Sequence, residues 1–342
     1  MKRILIVKLT SMGDLIQMLP ALTDATIAMP GIRFDWVVDE SFKDIPPLHP
    51  SIDNIIVIPY RRFKKNITDG NTLKDIKQCW HQLRQTNYDM VIDTQSNFKS
   101  AFITRLTKGT KYGLDGQSVR EYGAQWAYNK TITVSRMQNH AKRMRQLLAT
   151  FLDYSEPQTP PNYGIVRENL PNPDIRLPPK FIFITAVTSR KEKLWPEAYW
   201  QEVIADLLLR GYELVLPWWG EEEHQRVSRL KNNSPKVHLL PPMNLTEKAA
   251  VLSKAMAAIS LDTGLAHMAA ALDIPNVVLY GPTDPRQIGA YGKNQVHLRA
   301  NGAVPLDPKT RRSAQWANDF QPTSVENIRP REVLQAFYEL VD

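Results

Sequence analysis

The stretch "ISLDTGLAHMAAALDIPNVVLYGPTDP", residues 259–285, contains a complete strand–turn–helix–strand unit. Its outer segments are short, apolar and bounded by turn residues, as buried strands are, and "GLAHMAAAL" between them has a helix-forming composition. Two parallel strands joined by a crossover helix form the repeating unit of an α/β sheet. The stretch therefore predicts an α/β domain with the turn at residues 262–264 on the carboxyl edge of its sheet.

The same alternation continues in both directions. Before residue 259 lie "KFIFITAV", a helix opened by Pro196, "YELVLPW", a helix in "EEEHQRVSRLKNN" and "KVHLL". The first half shows "RILIV", a helix near residues 14–28, "FDWVV", "IDNIIVIPY", a helix across 74–85 and "YDMVIDTQ". Residues 156–180, which contain seven of the chain's 25 prolines, are typical of a linker between two α/β domains.

The composition narrows the class of protein. At 342 residues with 43% apolar content, the chain is long enough for two globular cores. The single cysteine, Cys79, cannot form an intramolecular disulfide, and neither a secretory signal nor an 18-residue apolar run is present, so we expect a cytoplasmic protein. No CxxC, HExxH, GxSxG, Walker or GxGxxG motif appears, which disfavours metal, hydrolase, NTPase and dehydrogenase sites.

The positive charge is concentrated in the first domain. Residues 1–150 hold 22 Lys and Arg against 13 Asp and Glu, whereas the remainder holds 21 against 22. Such a balance predicts a polyanionic partner, which can be nucleic acid, an anionic membrane or a phosphorylated substrate. The basic clusters are "YRRFKK" at residues 60–65 and the region 108–143, which includes Arg120; Trp and Phe elsewhere are expected in the cores. No complete RNA- or DNA-binding signature accompanies the clusters.

Two loops of the second domain predict a phosphate site. The backbone N–H groups of the 262–264 turn and the following helix N-terminus can hold an anion, and His267 lies one turn further on the same face. In "TAVTSRKEKLWP", residues 185–196, Thr188, Ser189 and three cations follow another strand. The alternatives are a capping Asp262 with an ordinary histidine, and a solvated basic loop. Because both loops and "GPTDP" belong to one sheet edge, we favour a pyrophosphate site.

The loop after the first strand, "KLTSMGD", carries a single acid at the start of a helix. It has one glycine, and the carboxylate of Asp14 would repel a phosphate, so a dinucleotide is not expected there. The turn is therefore expected to serve chemistry other than holding a dinucleotide. An acid in one domain and a phosphate site in the other suit group transfer from a nucleotide-linked donor to a hydroxyl.

The chain resembles the lipopolysaccharide heptosyltransferases of glycosyltransferase family 9, of the heptosyltransferase I type. The matching segments occur in order along nearly the whole chain: "ILIVKLTSMGDLIQMLPALTDA", "FDWVVDE", "RRFKK", "KLWPEAYW", "LPWWGEEE", "LDTGLAHMAAALDIPNVVLYGPTDP" and "IGAYGKN". The resemblance implies a GT-B fold of two Rossmann-like domains facing a central cleft. It places an acceptor domain at 1–160, a donor domain at 161–322 and a C-terminal helix at 323–342 that packs back toward the first domain.

The resemblance also implies an activity and its partners. The donor would be ADP-L-glycero-β-D-manno-heptose and the acceptor Kdo2-lipid A, at the cytoplasmic face of the inner membrane, where the enzyme would associate peripherally. The reaction would invert the anomeric carbon and need neither metal nor cofactor, and no nucleic acid partner is expected. The alternatives are a sugar-nucleotide epimerase of the same architecture and a basic nucleic-acid-binding protein.

Residue roles follow from the resemblance position by position. Asp14 would be the general base, with a helix-capping acid as the alternative, and Lys193 would be the catalytic cation on the leaving diphosphate. Glu223 would contact the ribose, although Glu222 is an alternative because three acids are consecutive here. The remaining donor contacts would be Thr188, Ser189, Met243, Asp262, Thr263, Gly264 and His267. The acceptor-binding cations would be Arg61, Arg62, Lys64 and Arg120.

Overall fold

The computed structural model describes residues 2–65, 70–300 and 322–342, apart from the side chains of residues 61, 64, 65 and 71. The chain divides into two compact units, Met1–Ile165 and Val166–Asp342. Each unit contains one six-stranded sheet in which every described strand pair is parallel. The domain boundaries expected at 160 and 322 remain predictions.

The first unit has the strand order β3-β2-β1-β4-β5-β6. Its strands are β1 (Arg3–Val7), β2 (Arg33–Asp39), β3 (Ile52–Ile58), β4 (Asn87–Asp93), β5 (Lys108–Leu114) and β6 (Lys130–Ile132). Its helices are α1 (Met12–Ile16), α2 (Leu19–Ala28), α3 (Tyr60–Lys65), α4 (Gly70–Gln85), α5 (Phe98–Leu106) and α6 (His140–Leu152). The strand order reverses between β1 and β4, and in such sheets ligands bind beyond the strand ends at that point.

The helix expected near residues 14–28 is two helices, α1 and α2. Pro20 lies in the first turn of α2, and α1 ends at Ile16, four residues before it. A proline ring would collide with the carbonyl of the residue four positions earlier, and proline has no N–H to donate. The prediction of one continuous helix was therefore wrong, although the apolar pattern runs through both.

The basic region 108–143 also contains regular structure that its composition did not indicate. It includes β5, β6 and the start of α6. The sequence of β5, "KGTKYGL", has two glycines and two lysines, and only its last two residues are buried. The strand forms because backbone pairing with β4 and β6 extends the sheet, whereas the side-chain pattern of a buried strand is absent.

The second unit repeats the topology with the order β12-β11-β10-β7-β8-β9. Its strands are β7 (Phe181–Thr185), β8 (Glu213–Leu216), β9 (Val237–Leu239), β10 (Ala257–Leu261), β11 (Asn276–Tyr280) and β12 (Gln295–Arg299). Its helices are α7 (Glu197–Leu209), α8 (Gly220–Lys231), α9 (Leu245–Leu252), α10 (Gly264–Ala271), α11 (Pro285–Ile288) and α12 (Pro330–Val341). The strand order reverses between β7 and β10, so a ligand site is expected after these two strands.

The final helix, α12, packs within the second unit against α7, β11 and β12. Its apolar face buries Val333 and Phe337 in the core of that unit. Pro330 occupies the first helical position, where its missing N–H costs no hydrogen bond. Packing of this helix toward the first domain remains a prediction.

Candidate active site

The loops after β1 and β4 are joined by one side chain. The Gln95 side-chain oxygen accepts hydrogen bonds from the backbone N–H of Leu9 at 2.6 Å and of Thr10 at 3.2 Å. The Gln95 amide donates to the Thr10 hydroxyl at 3.1 Å. These contacts fix the loop that leads into α1 at the reversal point of the first sheet, where Asp14 lies.

The two carboxylate oxygens of Asp14 have different neighbours. Its Oδ2 accepts from the backbone N–H and the hydroxyl of Ser11, both at 3.0 Å, so the capping role considered from sequence is present. The other oxygen, Oδ1, lies 3.9 Å from His140 Nε2. Arg120 Nη1 lies 3.9 Å from Oδ2. The carboxylate is 22% exposed, which leaves it accessible to a substrate hydroxyl.

A buried lysine adjoins this carboxylate. Lys8 is 1% exposed, and its Nζ donates to the Thr94 carbonyl at 3.0 Å. The same Nζ lies 3.0 Å from His140 Nε2. Because an ammonium only donates, it requires Nε2 of His140 to be the accepting nitrogen. Sequence reasoning assigned no role to Lys8 or to His140. Lys8 begins the segment "KLTSMGD", but His140 lies 132 residues away and no local pattern connects the two.

The electrostatics keep Asp14 ionised. Burial alone would raise the pKa of the Asp14 carboxyl, but the positive charges of Lys8 and Arg120 and the hydrogen bond from the Ser11 backbone N–H hold this pKa below its usual range. Burial and the charge of Lys8 lower the pKa of His140 well below its ordinary value, so His140 is neutral at pH 7. At pH 7 the positive charges beside Asp14 are therefore those of Lys8 and Arg120.

The burial of Lys8 predicts that the free energy of unfolding depends on pH. Burial lowers its pKa from 10.5 to about 8, so between these values the unfolded chain binds more protons than the folded chain. The stability of the natural chain should rise with pH relative to Lys8→Met, by about 2 kcal/mol between pH 7 and 10. Urea unfolding of both proteins across that range measures the difference, and a constant difference would contradict a buried ammonium.

The predicted acceptor cations differ in their placement. Arg120 adjoins Asp14, as described above. Arg62 Nη1 pairs with Asp75 of α4 at 2.7 Å, and its Nη2 lies 3.9 Å from Glu40. The side chains of Arg61 and Lys64 lie outside the described residues. The structure thus brings Arg120 to the carboxylate and gives Arg62 acidic partners of its own.

At the reversal point of the second sheet, Lys193 and Asp262 form a buried ion pair. Lys193 Nζ donates to Asp262 Oδ2 at 2.6 Å, and the two side chains are 11% and 6% exposed. The side chain of Thr283, from the "GPTDP" turn after β11, also hydrogen-bonds Asp262. Burial would raise the pKa of Asp262, but Lys193 outweighs it and lowers that pKa. Loops after β7, β10 and β11 thus meet here, as their common sheet edge predicted.

The N-terminus of α10 completes this group. Gly264 is its first residue, Thr263 is the N-cap, and the buried His267 lies one turn along the helix. The Thr263 hydroxyl is shielded from solvent and has no hydrogen-bond partner among the described residues. Thr188, on the loop after β7, accepts from the Arg190 backbone N–H at 3.3 Å, whereas Ser189 is exposed. The N–H groups at a helix N-terminus and an available hydroxyl suit an anion.

The resemblance places a diphosphate at this helix N-terminus, so Thr263→Val is expected to weaken ADP binding by roughly 5- to 10-fold through loss of a hydrogen bond to a charged phosphate. Stability should change little, because the hydroxyl has no described partner in the protein. Titration calorimetry with ADP measures the affinity. Thr104→Val is the matched control, because Thr104 of α5 also has a buried hydroxyl without a described partner. Unchanged ADP affinity in Thr263→Val would remove this residue from the anion site.

A third group surrounds the start of α8. Glu223 is half-buried, and its Oε2 accepts from the Trp219 backbone N–H at 2.7 Å, whereas Glu222 is exposed. Lys248 Nζ donates to the Trp218 carbonyl at 2.7 Å and lies 4.0 Å from the centre of the Trp219 ring. Burial lowers the pKa of Lys248 to about 8. Trp219 is 57% exposed and offers a flat aromatic face, which sequence reasoning missed because it assigned tryptophans to the cores.

Neither a metal-binding cluster nor a membrane-spanning helix is found in the described part of the chain. Within residues 2–65, 70–300 and 322–342, no group of three or more His, Cys, Asp or Glu side chains is placed to hold a metal ion. Among the helices in these same ranges, none combines the length and apolar character needed to cross a bilayer. Met243, predicted in the adenine pocket, is half-buried on the loop between β9 and α9.

The sequence model of glycosyltransferase family 9 (heptosyltransferase) matches residues 76–316. The chain belongs to glycosyltransferase family 9. Lipopolysaccharide heptosyltransferase 1 of Escherichia coli K12 is 44% identical over 299 residues, which cover 87% of this chain and 93% of that protein. The protein of the same name from Pseudomonas aeruginosa is 40% identical over 322 residues, covering 94% and 88% of the two chains.

Solved structures agree with this family 9 assignment. The E. coli heptosyltransferase WaaC with ADP superposes with a TM-score of 0.86 at 39% identity, over 99% of both chains. The same enzyme with ADP-2-deoxy-2-fluoro heptose gives a TM-score of 0.83 at 38% identity, over 98% of this chain and 99% of that one. The predicted fold class, GT-B with two Rossmann-like units, is confirmed, and so is the resemblance to the heptosyltransferase I type.

Proposed function

We propose that this family 9 heptosyltransferase transfers L-glycero-D-manno-heptose from ADP-heptose to Kdo2-lipid A in the lipopolysaccharide inner core. The supporting observation is that Asp14 and the Lys193–Asp262 pair each lie at the reversal point of their own sheet, where α/β folds bind ligands. The relatives named above are heptosyltransferases, and solved structures of one of them hold ADP and an ADP-heptose analogue.

The proposed chemistry is a single displacement with inversion. The acceptor oxygen attacks the anomeric carbon, the bond from that carbon to the diphosphate breaks, and Asp14 takes the hydroxyl proton. A carboxylate held ionised is a weak base, but the attacking oxygen becomes far more acidic as its bond to carbon forms, so proton transfer late in the step is favourable. The anionic groups of the acceptor would be bound by four cations: Arg61, Arg62, Lys64 and Arg120.

The second unit would bind the donor and stabilise the departing ADP. Lys193 and the N–H groups at the start of α10 would neutralise the charge that develops on the diphosphate. They would thereby supply the positive charge that a metal supplies in other glycosyltransferases. Thr188, Ser189, Asp262, Thr263 and His267 would contact the diphosphate and heptose, and Glu223, supported by its bond to Trp219, would contact the ribose, with Met243 at the adenine.

The testing experiment measures ADP release from ADP-heptose by the purified full chain, with and without deacylated Kdo2-lipid A and with EDTA in parallel. We expect release that depends on the acceptor and persists in EDTA, with one heptose added per ADP. Release without an acceptor would instead support a sugar-nucleotide epimerase. No release, together with salt-sensitive binding of generic oligonucleotides, would support a nucleic-acid-binding protein.

A further inference from the structure

In the described part of the first unit, six large aromatic side chains are exposed to solvent; five come from α3, α5 and the segment 122–126, and the sixth, Trp80, lies on α4. Phe102, Tyr122 and Trp126 are 65%, 73% and 74% exposed, which departs from the core positions expected for phenylalanine from sequence. Contiguous exposed apolar groups of this size mark interaction sites more often than chance surface residues. We call the following set the aromatic surface: Tyr60, Phe98, Phe102, Tyr122 and Trp126.

These side chains lie on adjacent elements. Phe98 and Phe102 are one turn apart on the same face of α5. A Cβ built at Gly123 would lie 3.0 Å from the Phe98 ring and 3.4 Å from the Trp126 ring, so both rings flank this glycine. Gly123 has φ of +104°, a conformation that other residues rarely adopt, so a side chain is disfavoured at this position between the two rings. The Tyr122 and Trp126 rings meet edge to face at 6.0 Å.

Cations border the aromatic surface. Lys99 Nζ lies 4.6 Å from the centre of the Tyr60 ring, and Arg105 is exposed one turn after Phe102. Arg120 is 47% exposed and 3.9 Å from Asp14. One acid in this area, Glu121, accepts a hydrogen bond from the Phe98 backbone N–H at 2.8 Å. The surrounding unit is basic, so the complementary partner is anionic and apolar at once.

We infer that the aromatic surface inserts into the headgroup region of an anionic lipid bilayer. Tryptophan, tyrosine and phenylalanine rings partition to that region, and Lys and Arg beside them are attracted to anionic headgroups. Because Arg120 lies 3.9 Å from Asp14 and two residues before Tyr122, this docking presents the candidate base to a hydroxyl held at the membrane. The inference rests on the proposed function in one respect, that the acceptor is anchored in lipid.

The test uses co-sedimentation of the full chain with vesicles of phosphatidylcholine containing about 30% phosphatidylglycerol. We expect the natural chain to bind these vesicles, to bind pure phosphatidylcholine more weakly, and to lose affinity at 0.5 M NaCl, where charges are screened. Phe102→Ser/Trp126→Ser should weaken binding by roughly tenfold or more, since buried apolar area sets the affinity. Ile27→Ser is the matched control, because Ile27 is 71% exposed on α2, which packs on α6.

Transfer assays separate this inference from the proposed function. The double variant should retain the rate with deacylated Kdo2-lipid A and lose roughly tenfold in rate with the acceptor in vesicles. Unchanged vesicle binding by the double variant would overturn the inference. The inference would also be overturned if the natural chain formed a dimer instead of binding vesicles and the double substitution abolished that dimer. An equal loss with the deacylated acceptor would assign the surface to acceptor binding and also overturn it. Vesicle binding that depends on the aromatic surface, without transfer to either acceptor, would support the inference while the proposed function fails.

Discussion

Asp14→Asn is expected to lower kcat by roughly a thousandfold while ADP affinity stays within a factor of two of the natural value. The amide keeps the size of the carboxylate and can still accept the hydrogen bonds from Ser11, but it cannot take a proton at neutral pH. A positioned general base contributes roughly 10²- to 10⁴-fold to such a rate. Single-turnover heptose transfer at saturating donor measures the chemical step directly.

The control for Asp14 is Glu247→Gln. Glu247 occupies the same capping-box position in α9, where its Oε2 accepts from the Asn244 backbone N–H at 2.8 Å. The chemical change is identical, so loss of capping alone should cost both variants a similar, small amount of stability. If Asp14→Asn keeps more than about a tenth of the natural rate, Asp14 is a capping residue and the base lies elsewhere.

Lys193→Met is expected to lower kcat by roughly 100- to 1,000-fold, the cost of removing a preorganised positive group from developing charge. Lys193→Arg should recover part of that loss, because the charge remains although the geometry of the 2.6 Å contact changes. The measurement is again single-turnover transfer, with ADP affinity determined separately by calorimetry.

Lys193→Met also leaves Asp262 buried without its ion-pair partner. Removing one member of a buried ion pair lowers the free energy of unfolding by about 3 to 5 kcal/mol. Lys193→Met/Asp262→Asn removes both charges and should recover most of the stability, yet transfer should stay slower than in Asp262→Asn alone. If the double variant and Asp262→Asn transfer equally fast, Lys193 acts only through Asp262. Arg145→Met/Asp24→Asn provides the matched control at a buried ion pair of the first unit.

Much of the second site was predictable because its parts follow strands. Lys193, Asp262 and Thr283 come from three loops on one edge of a parallel sheet, and the strands before them are short apolar runs that sequence patterns identify. In a parallel sheet the carboxyl ends of the strands share an edge, so placing the strands is enough to bring the loops together. Which of Glu222 and Glu223 is half-buried was not predictable, because consecutive helical residues differ only in the face they present.

The sequence by itself determined two α/β units, their buried strands and the position of Asp14 at a strand-to-helix turn, since apolar periodicity and turn residues act locally. Tertiary structure alone decided that Lys8 and His140, 132 residues apart, flank that carboxylate, that Arg62 pairs with Asp75, and that Phe98 and Trp126 meet around Gly123 at the surface. Such pairings depend on how helices pack across a sheet, and many sequence patterns are compatible with each one. Charge states follow from the same packing, because burial and neighbouring charges set the pKa of Lys8 and Asp14.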